Sequence, residues 1–550
     1  MPFSADLLVL GNEFWTWRSR TQPVSGDDIP RLERPPGWAP DWSPDAVVGR
    51  RARLDDLERA WRSLGSDASR ATTADQVDYR LVGSALKRVR WELETLRTWQ
   101  RNPMFYVHQT LGALFESLVA PPPFDQQRTA DLLIRAESIP ATLAAATDNL
   151  VNHAVEPFAR VAVAALQDIS ARLASVASEL SPWLEPQPAA GIQRALLRAA
   201  LELENFSEWL TARAASMATL MPVGREAYLQ FLRQVALVPL SPEAIATAAQ
   251  QELDRAVTFE ALEQLRNRHL APLPLPSTIE EQMLREASGE QELRDFCEEH
   301  GLLSFPSWLK RYRNKPLPTY LAPLRTLGVN DDLTSPRRLD QDATSYIPEP
   351  RPDLPYFYLA MARDPRTLIA HEGMHYYQLA RSWAEASPIR QHYYDSGPNE
   401  GIGFYAEEML LQAGLFDNSP RSREIIYNLM RLRAVRVSVD VRLAVGELDI
   451  DAAAAELAGR VPMDLGTARE EACFFAAEPG QAITYQVGKL QIMRLLADAR
   501  AAQGSTFDLR AFHDAVWVNG NVPIALQRWE ILGAQNEIGL LDMATDSQAL

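Results

Sequence analysis

Apolar residues recur at alternating spacings of three and four through the first half of the chain, and this spacing constrains its fold most. Between residues 50 and 270, two clear cases are Leu86, Val89, Leu93, Leu96 and Leu166, Ile169, Leu173, Val176, Leu180. Such spacing places the apolar side chains on one face of an α-helix. Prolines at 121–123 and within 182–188 fall between these segments, where proline ends one helix and positions the next. The pattern predicts stacked antiparallel helices and a mainly α fold.

The chain length predicts more than one packing unit. At 550 residues the chain exceeds the size at which a single hydrophobic core usually stops growing. We therefore expect two subdomains that face each other across a cleft. The proline-rich run Ala271–Pro276 indicates a boundary near residue 275, which gives an N-terminal helical subdomain at 1–275 and a C-terminal helical subdomain at 276–550. A single intertwined unit is the alternative.

The run Thr367–Gln378 contains His371, Glu372 and His375 in the order HExxH. Residues four apart return to nearly the same face of an α-helix, so the two histidines can bind one metal ion. A carboxylate beside two zinc-binding imidazoles can act as a base toward water, whose pKa the ion lowers. With 8 histidines and 72 acidic residues, roughly 0.015 such motifs are expected by chance. The motif predicts metal-assisted hydrolysis with one Zn²⁺ per chain; a structural or vestigial metal site is the alternative.

A second predicted helix supplies the third metal ligand. The motif helix has Asp364 as its N-cap and Pro365 as its first residue, and the next helix begins near Pro398 and ends at Gly414. Glu400, in the first turn of that second helix, would complete a His₂Glu set with an open fourth position. An acid near a helix N-terminus is also favourable without any metal, and this is the alternative.

Two further acids are candidates to hold a ligand histidine in place. Glu407 lies seven residues after Glu400, near the same helical face, and Asp440 is embedded among valines. Either carboxylate could accept the N–H that a metal-bound histidine leaves free. For Asp440, a salt bridge to a nearby arginine is the alternative.

Tyr485 is the candidate for stabilising an oxyanion. It follows Pro479 and Gly480 in a predicted helix, and a tyrosine directed at the metal can donate a hydrogen bond to the oxygen that becomes negative when water attacks a carbonyl. A core position is the alternative. For His513, we expect a structural hydrogen bond. The aromatic run Tyr356–Met361 predicts a short strand, and hence a very small β element near the metal site; a packed extended connector is the alternative.

Composition narrows the function classes. The formal net charge of -17 and the pI near 5.1 argue against nucleic acid or an anionic membrane as the main partner, because both would be repelled. No run of 18 apolar residues occurs and the first ten residues lack a basic segment, so we expect a cytoplasmic protein with a small substrate. Cys297 and Cys473 are too few for a disulfide framework and are expected to be reduced.

Several ordered blocks carry a resemblance to a known family: Gly224–Tyr228, Leu240–Ile245, His371–His375, Glu400–Glu407, Arg433–Asp440, Pro479–Tyr485 and Phe512–Ala515. On these blocks the chain resembles the bacterial helical family known as domain of unknown function 885. That family is similar to HExxH carboxypeptidases of the Taq type and, more distantly, to the thimet oligopeptidase and angiotensin-converting enzyme class of zinc peptidases. The resemblance implies a helical clamshell with a deep central cleft. It also implies that His371, His375 and Glu400 bind zinc, with Glu372 as base and Tyr485 at the oxyanion.

These observations predict a zinc-dependent hydrolase of peptide or amide bonds, in which Glu372 activates water and later protonates the leaving amine. A deep cleft favours short peptides, which such an enzyme could trim from the carboxyl end. A specialised amidase acting on a non-peptide metabolite and a non-catalytic binding scaffold are the alternatives. The sequence predicts no oligomeric state.

Overall fold

The apolar spacing of the sequence is realised as helices. The structure is a computed structural model that describes residues 2–25 and 32–546, and it is mainly α-helical, as predicted. Leu86 and Val89 are buried on one helix, and Leu173, Val176 and Leu180 are buried on another.

The helices up to residue 267 are α1 Pro2–Thr21, α2 Pro44–Ser63, α3 Gly65–Ala68, α4 Thr73–Arg90, α5 Thr98–Arg101, α6 Pro103–Val107, α7 Ala113–Val119, α8 Gln126–Leu150, α9 Glu156–Ala165, α10 Ile169–Leu180, α11 Pro186–Arg213, α12 Arg225–Gln230 and α13 Pro242–Asn267. Single π-helical turns follow α4, α6 and α12 directly.

The later helices are α14 Ile279–Glu299, α15 Tyr356–Arg363, α16 Arg366–Leu368, α17 Met374–Glu385, α18 Pro388–His392, α19 Ser396–Ala413, α20 Pro420–Val445, α21 Ile450–Arg460, α22 Leu465–Ala477, α23 Thr484–Gln503, α24 Leu509–Asn519, α25 Ile524–Leu532 and α26 Asn536–Asp546. A further π-helical turn, Ile369–Gly373, joins α16 to α17.

One small sheet interrupts the helices. Its strands are β1 Tyr312–Pro316, β2 Asp331–Asp332 and β3 Ala343–Ile347, in the order β1-β3-β2. β1 runs parallel to β3, and β2 runs antiparallel to it with Asp331 opposite Ser345. A very small β element is therefore present, as predicted.

The strand predicted at Tyr356–Met361 is wrong, because this run forms helix α15. Pro355 precedes the helix, and its carbonyl accepts a hydrogen bond from the backbone N–H of Leu359. Ala360, Met361 and Ala362 are buried by the packing of that helix. Aromatic residues favour strands only where a pleated surface is available to pack on, and here the surrounding helices decide the conformation.

Buried clusters join residues from both sides of residue 275. In one cluster, Val155, Phe158 and Leu253 pack with residues of α20, α21 and α22. Another joins Tyr228 and Ile245 to residues of α20 and α23. The division at residue 275 stays a prediction.

A buried ionic cluster links α13, α19 and α23. The ammonium group of Lys489, which has no exposed surface, lies 2.7 Å from Glu252 Oε2 and 2.7 Å from Glu408 Oε2. The Arg255 guanidinium donates to both of these carboxylates. Each buried charge is therefore compensated by groups from a different helix, and the three helices are held in register.

Two other predictions concern single features. Cys297 and Cys473 are both buried and free, as expected for reduced thiols. Within residues 2–25 and 32–546, no single helix is long and apolar enough to cross a membrane. The bent pair Glu156–Ala165 and Ile169–Trp183 passes the same test, by length and composition alone.

Candidate metal centre

The two motif histidines come from adjoining helical turns. Helix α16 begins at Arg366 with Pro365 at its N-cap, one residue after the predicted start, and the Asp364 carboxylate accepts the backbone N–H of Arg366. His371 lies in the π-helical turn and His375 in the first turn of α17, where the sequence predicts one regular α-helix. Their rings are perpendicular, with centroids 4.7 Å apart. π-helical turns are often found at functional sites, and this one keeps both imidazoles on the same face.

Helix α19 brings Glu400 to these histidines. Asp395 caps this helix by accepting the backbone N–H of Gly397 at 2.8 Å. Glu400 Oε2 lies 3.2 Å from Nε2 of His371 and 3.5 Å from Nε2 of His375. One donor atom from each of the three residues lies within 4.8 Å of the other two, and all three side chains are buried. The structure thus brings together the three predicted ligands.

Glu407 contacts His371 at Nδ1, the ring nitrogen that does not face Glu400. Its Oε1 lies 2.7 Å from Nδ1 of His371, and the Arg433 guanidinium reaches the same oxygen at 2.8 Å. A carboxylate at Nδ1 holds the proton on that nitrogen and leaves Nε2 free to bind a metal. Nδ1 of His375 is buried and has no hydrogen-bond partner among the described residues. Only one of the two histidines therefore has a carboxylate behind it.

The charges around the site favour a cation. Burial and the Arg433 guanidinium lower the pKa of His371, but hydrogen bonds to Glu400 and Glu407 outweigh both and raise it to about 9. Burial raises the pKa of Glu400, but His375 and His371 hold it well below its usual range. The pocket therefore stabilises a positive charge between these groups. Two imidazole nitrogens and a carboxylate oxygen are donors that suit catalytic Zn²⁺.

Glycines allow the helices around the site to approach closely. A Cβ added at Gly403 would lie 2.9 Å from the His371 ring, and one at Gly401 would lie 2.6 Å from the Cα of Gly488. The sequence analysis did not identify these positions, nor Arg433. The available signal was a pair of glycines inside a predicted helix, where each costs about 1 kcal/mol unless a close contact requires it.

Glu372 follows His371 in the π-helical turn and is only half-buried. Burial, together with the nearby charge of Glu372, raises the pKa of Asp331 in β2 to about 7. The Tyr312 hydroxyl donates a hydrogen bond to Asp331 at 2.9 Å. The small sheet therefore lies on the Glu372 side of the site.

Tyr485 lies in the first turn of α23 beside His371. The two rings are nearly parallel, with centroids 5.9 Å apart, and Tyr485 is half-buried. The Arg433 guanidinium lies 5.4 Å from the centre of the Tyr485 ring. Tyr485 thus borders the predicted metal position instead of being enclosed in the core.

Asp440 does not support a histidine, and that part of the prediction is wrong. Its carboxylate accepts the backbone N–H groups of Gly480 at 2.8 Å and Ala482 at 2.7 Å. Burial raises the pKa of Asp440 to about 7, although these hydrogen bonds oppose the shift. Helix α20 turns this side chain toward the loop before α23, so Asp440 holds the segment that leads into Tyr485. His513 makes structural hydrogen bonds, to the Tyr405 hydroxyl and the Leu302 carbonyl.

A cavity of about 780 Å³ lies at the starts of α19 and α23, and its lining does not include the three candidate ligands, Glu372 or Tyr485. The residues that line it include Ser396, in the first turn of α19, and Pro479 and Gln481, in the loop before α23. These are the elements that carry Glu400 and Tyr485. The cavity has room for a short peptide.

Comparisons with known proteins identify the family and the fold of the chain but give no activity. The family model described as "Bacterial protein of unknown function (DUF885)" matches residues 36–283 and 334–531. A proposed lipoprotein of unknown function from Shewanella oneidensis has a similar structure, with a TM-score of 0.71, 17% identity, and coverage of 96% of this chain and 99% of that one. A proposed lipoprotein from Colwellia psychrerythraea also has a TM-score of 0.71, with 15% identity and coverage of 98% and 99%. These likenesses show a shared fold. No curated protein matches the sequence significantly.

Proposed function

The chain belongs to the DUF885 family of bacterial proteins of unknown function, and we propose that it is a zinc-dependent hydrolase of peptide or amide bonds. The observation that carries the proposal is the convergence of His371, His375 and Glu400, whose donor atoms lie within 4.8 Å of one another in a buried pocket. The carboxylate of Glu407 behind His371 and the half-buried Glu372 beside it also support the proposal.

The proposed roles follow from these positions. Bound zinc supplies a Lewis acid that polarises a carbonyl group and lowers the pKa of water. Glu372 takes a proton from the attacking water and passes it to the leaving amine. The Tyr485 hydroxyl donates a hydrogen bond to the carbonyl oxygen as negative charge develops on it. Glu407 and Arg433 keep His371 in the required orientation.

Short peptides are the substrates we propose. The cavity of about 780 Å³ at the starts of α19 and α23 is too small for a folded protein and accommodates a few residues in extended form. The motif resemblance to HExxH carboxypeptidases and oligopeptidases supports the same substrate class. The net charge of -17 continues to disfavour nucleic acid as a partner.

The test combines metal analysis with one substitution. Purified protein should contain about one zinc per chain, because three protein donors and an open position suit one ion. Glu372→Gln should retain that zinc but lose at least about 1000-fold in the hydrolysis of dipeptides and tripeptides, since it removes the base. Glu385→Gln is the matched control, because it changes an exposed acid near the end of α17.

Other outcomes of this test would contradict the proposal or indicate one of the alternative functions. Absence of zinc, or full peptide hydrolysis by Glu372→Gln, would contradict the proposal. Zinc without hydrolysis of any peptide, but with release of amine from small non-peptide amides, would indicate an amidase. Zinc with no hydrolysis of either class would indicate a binding scaffold.

A further inference from the structure

The cavity at the starts of α19 and α23, the helices that carry Glu400 and Tyr485, is lined by aromatic residues and three arginines. Its lining includes the aromatic residues Trp15, Trp91, Phe105, Phe158 and Phe231. Arg18, Arg88 and Arg172 also line the cavity. A cation in such a lining either has a carboxylate partner in the protein or is available to a ligand.

Two of the three arginines are paired. Arg18 binds Glu92 at 2.6 Å, and Arg88 binds Asp395 at 2.5 Å. These contacts hold α1 against the π-helical turn after α4, and α4 against the cap of α19. Both charges are therefore neutralised within the protein.

Arg172 differs from the other two. Its Nε donates to the Pro323 carbonyl at 2.7 Å, and its Nη1 donates to the Ala165 carbonyl at 2.6 Å. Within residues 2–25 and 32–546, no carboxylate lies within ion-pair distance of Arg172, and its Nη2 makes no hydrogen bond to protein. Asp168 is the acid whose more distant charge acts on it. Two carbonyls thus fix the guanidinium in place without neutralising its charge.

We propose that Arg172 binds the C-terminal carboxylate of the peptide substrate, so that the protein selects peptides with a free carboxyl end and an apolar or aromatic residue there. This inference rests on the proposed function for the nature of the substrate. The planar guanidinium matches the two oxygens of a carboxylate, and the half-buried position of Arg172 in the cavity lining partly desolvates it. The aromatic lining would contact the side chain next to that carboxylate.

Binding without turnover tests the proposal. The probes are Ala-Ala-Phe, its C-terminal amide, and the N-acetylated form of each, titrated by calorimetry into full-length Glu372→Gln protein as purified. Amidation should weaken the Kd by about 10-fold to 100-fold, because it removes a charge-assisted hydrogen bond. Acetylation of the other end should change the Kd by less than about 3-fold, because no role is assigned to the amino group.

A second substitution tests whether Arg172 causes the preference for the free carboxylate over the amide. In Arg172→Gln combined with Glu372→Gln, the acid and the amide should bind equally weakly, and Arg172→Lys should restore part of the preference. Arg325→Gln is the matched control: Arg325 also donates to a carbonyl in the same segment, but it is exposed and does not line the cavity. A thermal melt of each variant verifies folding, and the Arg172→Lys variant keeps the test informative if Arg172→Gln does not fold.

Failure of this inference is distinguishable from failure of the proposed function. An unchanged preference in a folded Arg172→Gln variant, equal binding of acid and amide by Glu372→Gln protein, or no binding of Ala-Ala-Phe at millimolar concentration would overturn the inference. The proposed function depends instead on zinc content and on hydrolysis by the wild-type protein, which none of these binding measurements uses.

Discussion

Glu407 fixes the orientation of the His371 ring, and so the direction in which Nε2 faces a metal. Its carboxylate lies 2.7 Å from Nδ1 of His371 and is itself held by Arg433. Replacing Glu407 by Gln weakens the acceptor and leaves Arg433 without its counter-charge. We expect zinc affinity to fall by about 10-fold to 100-fold, as is typical when the acceptor behind a ligand histidine is lost. Competition with a chelator of known affinity measures this change.

The control for Glu407→Gln is Glu385→Gln, which should leave zinc affinity unchanged. Equal zinc affinity in Glu407→Gln and wild-type protein would show that His371 needs no acceptor at Nδ1. Loss of all helical signal in the variant would instead assign Glu407 a role in stability.

Glu286 makes stability depend on pH. This side chain on α14 is 1% exposed, accepts a hydrogen bond from Gln282, and has a pKa that burial raises to about 8. The unfolded chain ionises near pH 4.5, so between about pH 4.5 and 8 the folded protein binds more protons than the unfolded chain. The free energy of unfolding therefore falls as pH rises through this window.

Glu286→Gln should remove that dependence. We expect the variant to match wild-type stability near pH 4 and to exceed it by roughly 4 kcal/mol at pH 8, because it has no carboxyl to ionise. Urea unfolding at both pH values measures the difference. Glu280→Gln, which changes an exposed acid on the same helix, should show no such gain; a Glu286→Gln variant less stable than wild type at pH 8 would contradict the prediction.

Among single residues, those that a linear motif or a helical spacing defines could be predicted from the sequence. His371, Glu372 and His375 are fixed by the motif, and Glu400 follows from the next helix start. Arg433 could not be predicted, because its role depends on the crossing of α19 and α20, which no spacing in the chain reveals. The same limit explains Asp440, whose partners lie 40 residues away in a loop.

The contact between α19 and α23 depends on glycine. A Cβ at Gly488 would lie 2.1 Å from the Gly397 carbonyl oxygen and 2.6 Å from the Cα of Gly401. Gly488→Ala should therefore lower the free energy of unfolding by about 2 kcal/mol or more, although alanine favours helices by about 1 kcal/mol. It should also reduce zinc occupancy, because it displaces the helix that carries Glu400. Chemical unfolding and metal analysis measure the two effects.

Gly49→Ala is the matched control for this prediction. Gly49 lies inside α2, and a Cβ there would have no atom within 4 Å. That substitution should stabilise the protein by up to about 1 kcal/mol. Stabilisation of similar size by Gly488→Ala would show that the two helices separate easily.

Elements with a long periodic pattern were predictable, and short ones were not. α19 begins and ends close to the predicted residues, and the motif segment begins with α16 at Arg366 and ends with α17 at Glu385, near its predicted limits, because acids and prolines mark these positions. β2 has only two residues, too few for any alternation to appear. The π-helical turn at Ile369–Gly373 also leaves no signal in the sequence, because it differs from an α-helix by a single hydrogen-bond step.

For the whole molecule, the mainly α fold followed from apolar spacing, but the arrangement of its cores did not. The clusters that combine α9 and α13 with α20, α21 and α22 bring together residues more than 200 positions apart. Helical spacing identifies which face of each helix is buried and carries no information on its partner. The cytoplasmic location and the division at residue 275 stay predictions.

The ionic cluster around Lys489 limits how the two halves of the chain can be recombined in evolution. Glu252 and Arg255 precede residue 275, yet they neutralise charges on the two helices that carry Glu400 and Tyr485. A gene segment encoding only the second half of the chain would include every proposed zinc ligand but not these counter-charges. The second half alone would therefore carry an incomplete metal centre. Recombination that exchanges one half must preserve the ion pairs that join Glu252 and Arg255 to Glu408 and Lys489.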